Sequence, residues 1–399
     1  MSRPGTWLEL PPGTLFGPAN LPLGVFSADG GPRRTGVAIG DLVLDLAAAT
    51  GDPVHATGTL NAFLARGPRA WAALRAQLTG WLTDAAHRGS VEPHLLPRSG
   101  VQLHLPIEVA DYVDFYSSRH HAENLGRILR PGTPPLSPNW RHLPIGYHGR
   151  AGSVAVSGTA VVRPCGQSQT RDEPPVFGPT QRLDLEAEVG FVVGAGSTPG
   201  TPVPVGAFPD HVFGVCLVND WSARDLQAWE YQPLGPFLSK SFLTSVSPWV
   251  VPLAALAAAR VPAPARDVAP LPYLADDDSP WGLDLTLEVR VNGNLVSRPP
   301  FACTYWTAAQ QLAHLTVNGA GLRTGDLYAS GTVSGPSPDQ WGSLVELSWG
   351  GRQPLSLPDG SARTFLEDGD VVTITATAPA TDGGRIGLGE VTGRVEPAR

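Results

Sequence analysis

The segment Leu183-Asp184-Leu185-Glu186-Ala187-Glu188-Val189 constrains this chain more than any other. It alternates strictly, as a β-strand does. The leucines, alanine and valine fall on one side and Asp184, Glu186 and Glu188 on the other, about 7 Å apart per two-residue step. A solvated outer face is the ordinary reading of such a pattern. This strand, however, runs straight into Gly190-Phe191-Val192-Val193, which reads as buried on both faces. Like charges on a buried strand need compensation, and a hard divalent cation with oxygen ligands provides it. Composition fits a large core: of 399 residues, 42% are hydrophobic and 16% charged. The 46 glycines and 41 prolines favour many turns and short strands over long helices.

Other classes lose support. A net charge of −8 favours neither nucleic acid nor an anionic membrane. The apolar run from Val246 to Ala259 is short and broken by Pro248 and Pro252, so no membrane span is expected. Met1 to Gly13 has no apolar signal-peptide region. Cys165, Cys216 and Cys303 are scattered and odd in number, which points to the cytoplasm. No nucleophile elbow, P-loop, dinucleotide fingerprint or zinc-protease motif occurs, and no organic cofactor is expected.

The chain divides near residue 104. In residues 1–104, Val37 to Leu46 reads as a hairpin around Gly40-Asp41, and Leu60 to Arg66 and Ala70 to Arg88 read as helices. No polar chemistry clusters there, so this unit is expected to serve packing or assembly. In residues 105–399 strands dominate. The best candidates are Ser153 to Val162, Leu183 to Val193, Val212 to Val218, Leu283 to Val291, Val345 to Trp349 and Val371 to Thr377. Helices are expected over Asp111 to Gly126, Ser222 to Tyr231 and Thr307 to Asn318.

Lys240 is the single lysine among 28 basic Lys and Arg residues. A chain that uses Arg everywhere else keeps an ammonium where a guanidinium cannot serve. Its setting, Gly235-Pro236-Phe237-Leu238-Ser239-Lys240, is too apolar for an ordinary exposed lysine. Upstream, Asn219-Asp220-Trp221-Ser222-Ala223-Arg224-Asp225 follows an apolar strand, and Ser222 with Asp225 gives a capping-box-like helix start. Arg224, Gln227 and Tyr231 then share a face that suits a carboxylate or an oxyanion. Asp114-Phe115-Tyr116-Ser117-Ser118-Arg119-His120-His121 concentrates acid, phenol and imidazole on one expected helix. His148, among glycines, reads as a turn residue. A hard-metal site with His, Lys and an Arg/Gln/Tyr face fits water-mediated or enolate chemistry on a small anionic substrate.

These blocks resemble the fumarylacetoacetase family. The likeness is carried by Asp114 to Arg119, Leu143-Pro144-Ile145-Gly146-Tyr147-His148-Gly149-Arg150, Asn219 to Asp225, Tyr231 to Phe237, Ala329-Ser330-Gly331-Thr332 and Gly342-Ser343-Leu344-Val345-Glu346. It implies a mainly β (α+β) fold, with a small N-terminal SH3-like barrel and a large C-terminal mixed β-sandwich roll. It also implies a homodimer that hydrolyses a carbon–carbon bond of a small diketo acid, giving fumarate and acetoacetate at the end of tyrosine breakdown. By motif position, Asp114, Glu186, Glu188 and Asp220 would hold Ca²⁺ or Mg²⁺, and Lys240 and Thr244 a second cation. His121 falls on the catalytic base and Glu346 on the carboxylate that orients it. Arg224, Gln227 and Lys240 match the oxyanion donors, and Tyr116, Arg130, Tyr147, Tyr231 and Thr332 the substrate contacts.

Glu123 stands where the family commonly has a small polar residue, and it is expected either to raise the His121 pKa or to face solvent. The alternatives are a relative acting on another β-diketo acid or acylpyruvate, a decarboxylase using the same metal, and a silent carboxylate-binding protein.

Overall fold

The computed structural model describes residues 5–170, 173–276, 280–358 and 360–399; the first four residues of the expected N-terminal unit lie outside it. Near the N-terminus, strands β1 (Leu23–Ala28), β2 (Arg34–Ile39) and β3 (Leu42–Asp45) form a meander. The Gly40-Asp41 turn joins the last two, as the sequence predicts. Helix α1 (Pro68–Thr83) follows, and then β4 (Leu95–Pro97) and β5 (Val101–His104) return to pair with β3 and β1.

Beyond lie β6 (Tyr112–Phe115), helix α2 (Arg119–Leu129), β7 (Gly146–His148), β8 (Val154–Val156), β9 (Val161–Val162), β10 (Ala187–Val193) and β11 (Val212–Asp220). Helix α3 (Arg224–Glu230), β12 (Thr244–Val246), β13 (Trp249–Pro252), β14 (Thr286–Val291) and β15 (Asn294–Ser297) come next. The chain finishes with α4 (Ala308–Thr316), β16 (Leu327–Ala329), the single turn α5 (Leu344–Leu347), β17 (Val371–Pro379) and β18 (Arg385–Glu396).

The large sheet runs β4-β3-β2-β1-β13-β11-β10-β16-β6-β7, with β12 between β11 and β8. A second sheet runs β15-β14-β17-β18-β9. The fold is thus mainly β with a few helices. The N-terminal strands are stitched into the main sheet through Leu23 opposite Val250. One apolar cluster accordingly mixes Val25, Leu44 and Leu78 with Val192, Phe213 and Leu327. Among the described residues, no helix is long and apolar enough to cross a membrane.

Four sequence expectations change. Asp111 to Gly126 is not one helix: Asp114 lies on β6, and α2 begins only after Ser118, whose side chain caps it by accepting from the His121 N–H. Val345 to Trp349 is not a strand but carries α5; a short apolar run does not distinguish the two. Ser222 does not cap α3; Ala223 holds that position, and the Ser222 hydroxyl donates to the Asp220 carbonyl. His148 lies on β7 rather than in a turn, with its Nδ1 3.2 Å from Asp111 Oδ2.

Candidate active site

Strand register gathers the acids. Across the sheet, Thr244 is paired with Asp220, Ala187 with Asn219, Gly190 with Ala329, Ala329 with Asp114, and Asp114 with Tyr147. Asp114, Glu188 and Asp220 therefore meet near one end of three strands, with Glu186 just before β10. Carboxylate oxygens of Asp114, Glu186, Glu188 and Asp220 all lie within 4.8 Å of one another, and all four residues are buried. Every residue from Leu183 to Val193 is buried, so the charged side of that strand does not face water.

Lys240 answers part of this charge. Its Nζ donates to Glu186 Oε2 at 2.6 Å and to Asp220 Oδ2 at 2.7 Å, and Thr244 Oγ1 donates to Asp220 Oδ1 at 3.0 Å. Burial works against the ammonium, but Asp220, Glu186 and Asp114 outweigh it and hold the lysine charged. A charged ammonium has no lone pair, so of the two roles expected for Lys240 its side chain is committed to the donor's. Glu186 is likewise opposed by burial, yet Lys240, Arg224 and His121 together keep it well below the usual carboxylate range.

Asp114 and Glu188 are the exceptions. Burial first, and then Asp220 among neighbouring acids, pushes Asp114 well above its ordinary value; burial and Asp114 do the same to Glu188. Neither oxygen of Glu188 nor Oδ1 of Asp114 has a hydrogen-bond partner. Buried carboxylate oxygens in that condition, converging with two further carboxylates, fit a hard divalent cation.

A second group faces this one. His121 Nδ1 lies 2.7 Å from Glu346 Oε2. Glu346 is fully buried, and it also accepts from Asn124 Nδ2 at 3.0 Å, Ser334 Oγ at 2.9 Å and Ser343 Oγ at 2.7 Å. Burial would raise its pKa, but His121 and these donors bring it below the ordinary value. An ionised carboxylate only accepts, so His121 carries a proton on Nδ1, and in the neutral imidazole the lone pair lies on Nε2. The Tyr116 ring meets the His121 ring edge to face, centroids 5.4 Å apart.

Arg224 adds a second cation beside Glu186. Nε donates to Asp184 Oδ2 at 2.7 Å, one Nη donates to Gln227 Oε1 at 3.0 Å, and the other is ion-paired with Glu186 at 2.6 Å. Because arginine can only donate, Gln227 is turned with its NH₂ group away from Arg224. Gly331 brings the Thr332 loop against β6: its φ is +74°, and a Cβ there would stand 2.1 Å from the Phe115 carbonyl. Thr332 Oγ1 is buried without a partner. Tyr147, on β7, stands opposite Asp114, and burial together with Asp114 pushes its hydroxyl pKa up.

Two expected residues stand at the surface. Tyr231 is exposed just past α3, its hydroxyl accepting from Gln232 Nε2. Arg130 is exposed and donates to the Pro135 carbonyl at 3.1 Å, within the proline-rich loop. Glu123 is taken by Arg119 at 2.8 Å and Arg127 at 2.9 Å on its own helix. The sequence reading overlooked Asn124, Ser334 and Ser343. Only Asn124 left a signal, three residues from His121 and so on its helical face.

Residues 111–396 match the family model for the fumarylacetoacetate (FAA) hydrolase C-terminal region, and residues 19–106 match that for the fumarylacetoacetase N-terminal region. The chain belongs to the fumarylacetoacetate hydrolase family. Members similar to it include the fumarylacetoacetase of Homo sapiens, 48% identical over 402 residues, with 95% of this chain and 96% of that one covered. The fumarylacetoacetase of Caenorhabditis elegans is 46% identical, with 98% and 99% covered. Among solved structures, the fumarylacetoacetate hydrolase of Exiguobacterium antarcticum covers 95% of this chain and 100% of its own at a TM-score of 0.57 and 19% identity. A maleylpyruvate hydrolase from Sphingobium sp. SYK-6, in complex with manganese(II) and pyruvate, reaches 0.52 at 17% identity, covering 95% and 100%. These two structures share the family's fold with this chain.

Proposed function

We propose that the chain hydrolyses the carbon–carbon bond of 4-fumarylacetoacetate to fumarate and acetoacetate, closing tyrosine and phenylalanine breakdown. The observation that carries this reading is an imidazole fixed in one tautomer by Glu346 beside a buried, incompletely partnered carboxylate cluster. Relatives named fumarylacetoacetase, 44–48% identical across nearly the whole chain, support the choice of substrate.

Cleaving a β-diketone with water needs a base, donors for an oxyanion and a sink for the leaving carbanion. His121 Nε2 takes a proton from water as its oxygen bonds to the carbonyl carbon, and Glu346 stabilises the resulting imidazolium. Gln227 through its NH₂, Lys240 and Arg224 through N–H groups not already engaged hold the tetrahedral oxyanion. Its collapse breaks the carbon–carbon bond, the electron pair leaves as the enolate of acetoacetate, and the proton on His121 returns to that carbon. Asp114, Glu186, Glu188 and Asp220 would hold a divalent cation, Ca²⁺ or Mg²⁺ in our reading, which would supply Lewis-acid stabilisation of the developing enolate charge. Thr244, already on Asp220, would help the Lys240 segment border a second cation.

Tyr116, Tyr147 and Thr332 contact the substrate, and Arg130 clamps the fumaryl carboxylate when its loop closes, with Tyr231 carried in from the neighbouring surface. The reading places the enzyme in the cytoplasm as a homodimer. Leu234 and Phe237, 96% and 65% exposed beside Tyr231, are apolar surface that a second copy would cover. None of the proposed residues lies in the 1–104 unit, which keeps its expected role in packing and assembly.

The test is an ultraviolet assay following loss of the conjugated diketone, with chelator and with Mg²⁺ or Ca²⁺ restored separately, alongside His121→Ala and His120→Ala. Metal-dependent loss abolished only by the His121 change is expected. No loss with any metal would sink the proposal and turn attention to acylpyruvates.

A further inference from the structure

Asp184 belongs to the charged strand yet stands outside the cation cluster. It is fully buried, and both of its oxygens are spent on two other parts of the site. Oδ2 accepts from Arg224 Nε at 2.7 Å and from the Val345 N–H at 3.1 Å. Oδ1 accepts from the Leu344 N–H at 2.7 Å and the Leu185 N–H at 2.8 Å.

Leu344 and Val345 open α5, the turn that carries Glu346. A helix of four residues does not hold itself together, and its first N–H groups need outside acceptors. Ser343, at the capping position, makes no side-chain cap because its hydroxyl goes to Glu346. The acceptor comes instead from Asp184, 160 residues earlier. Backbone pairing of Glu186 with Ser343, and of the Ala187 N–H with the Gly342 carbonyl at 2.9 Å, fixes the entry to the turn. Asp184 then fixes the turn itself.

We propose that Asp184 is a positioning residue that fastens the Glu346 turn and Arg224 into one frame, so that the base and the oxyanion donor keep a fixed relation. This rests on the reading of His121 and Arg224 given above, and the test separates the two. Asp184→Asn leaves a buried guanidinium under-compensated, so a second variant keeps folding and positioning apart. Leu344→Pro is that variant: proline suits the first helical position, and the extended Ser343 tolerates it. It deletes one N–H bonded to Asp184 and leaves the Arg224 pair intact. Leu344→Ala controls for lost packing.

The first readout needs no substrate. The low-field proton resonance of His121 Nδ1–H, identified by its loss in Glu346→Gln, should persist in Leu344→Ala and shift or broaden in Leu344→Pro. The second is turnover. kcat should fall about tenfold from Leu344→Ala to Leu344→Pro, and about 10–100-fold in folded Asp184→Asn, with KM little changed. In a Glu346→Gln background most of the Asp184→Asn loss should vanish. Identical resonance in the two Leu344 variants, or an undiminished Asp184→Asn loss in that background, overturns the proposal. If the wild type does not turn over the diketo acid, the functional reading fails and the resonance decides this one by itself.

Discussion

Glu188 and Glu346 are both glutamates with no exposed surface, and the protein treats them in opposite ways. Glu346 has a histidine, an amide and two hydroxyls on its oxygens, and is held below its ordinary pKa. Glu188 has no partner on either oxygen, and burial with Asp114 beside it pushes it well up. The first carboxylate is finished by the fold; the second is finished only by something that binds. A buried acid therefore announces its role by what it lacks as much as by what it touches.

The largest effect should come from spoiling the finished carboxylate. Glu346→Gln replaces an acceptor with a group that can donate to His121 Nδ1 and select the wrong tautomer. We expect kcat to drop by about 10⁴, the scale of the corresponding change in a catalytic triad, with the fold intact by circular dichroism. A drop below tenfold would mean that Glu346 does not orient the base.

Next is the unfinished carboxylate. Calorimetric melting with Mg²⁺ or Ca²⁺ at a hundred times its Kd should stabilise the wild type by about 2.7 kcal/mol, and Glu188→Gln should erase most of that gain. An equal gain in both proteins would remove Glu188 from the cation's ligands.

The two acids should also give stability opposite slopes with pH. Glu346 has its folded pKa depressed, so its contribution is present above the unfolded value of 4.5 and is lost as pH falls below it. Glu188 has its folded pKa raised, so chelated protein holds an extra proton above 4.5 and loses stability as pH rises through that window. Denaturant titrations of chelated Glu188→Gln should show a flatter decline on the alkaline side. An unchanged slope would assign that decline to other groups. The smallest effect belongs to Glu123→Thr. Its carboxylate is already paired with Arg119 and Arg127, so stability should change by about 0.5 kcal/mol or less and the pH–rate profile should keep its position.

The sequence shows the strands that alternate or run apolar over their length, such as Val212–Asp220 and Val371–Pro379, and the capped helix Ala308–Thr316. It shows the acids too, because burial of Glu186 and Glu188 follows from the apolar stretch they lead into. It does not show that Asp184 turns from its neighbours to Arg224 and α5, because residues 185 and 186 leave the regular ladder between the short Leu183–Asp184 pairing and β10. Nor does it show that Val345 is helical, since the acceptor that makes the turn possible lies 161 residues away. Ser334 and Ser343 were illegible for the same reason: a hydroxyl acquires its meaning only when the chain has folded back on itself.

The wide separation of His121 from Glu346, 225 residues, has a consequence for synthesis. Asp114, Glu186, Glu188 and Asp220 all leave the ribosome before Arg224 and Lys240, the cations that pair with Glu186 and Asp220. Glu346 emerges later still. The cell thus makes the acids first, two counter-charges next and the partner of His121 last, so a chain interrupted before residue 346 carries the buried charge without the carboxylate that holds His121.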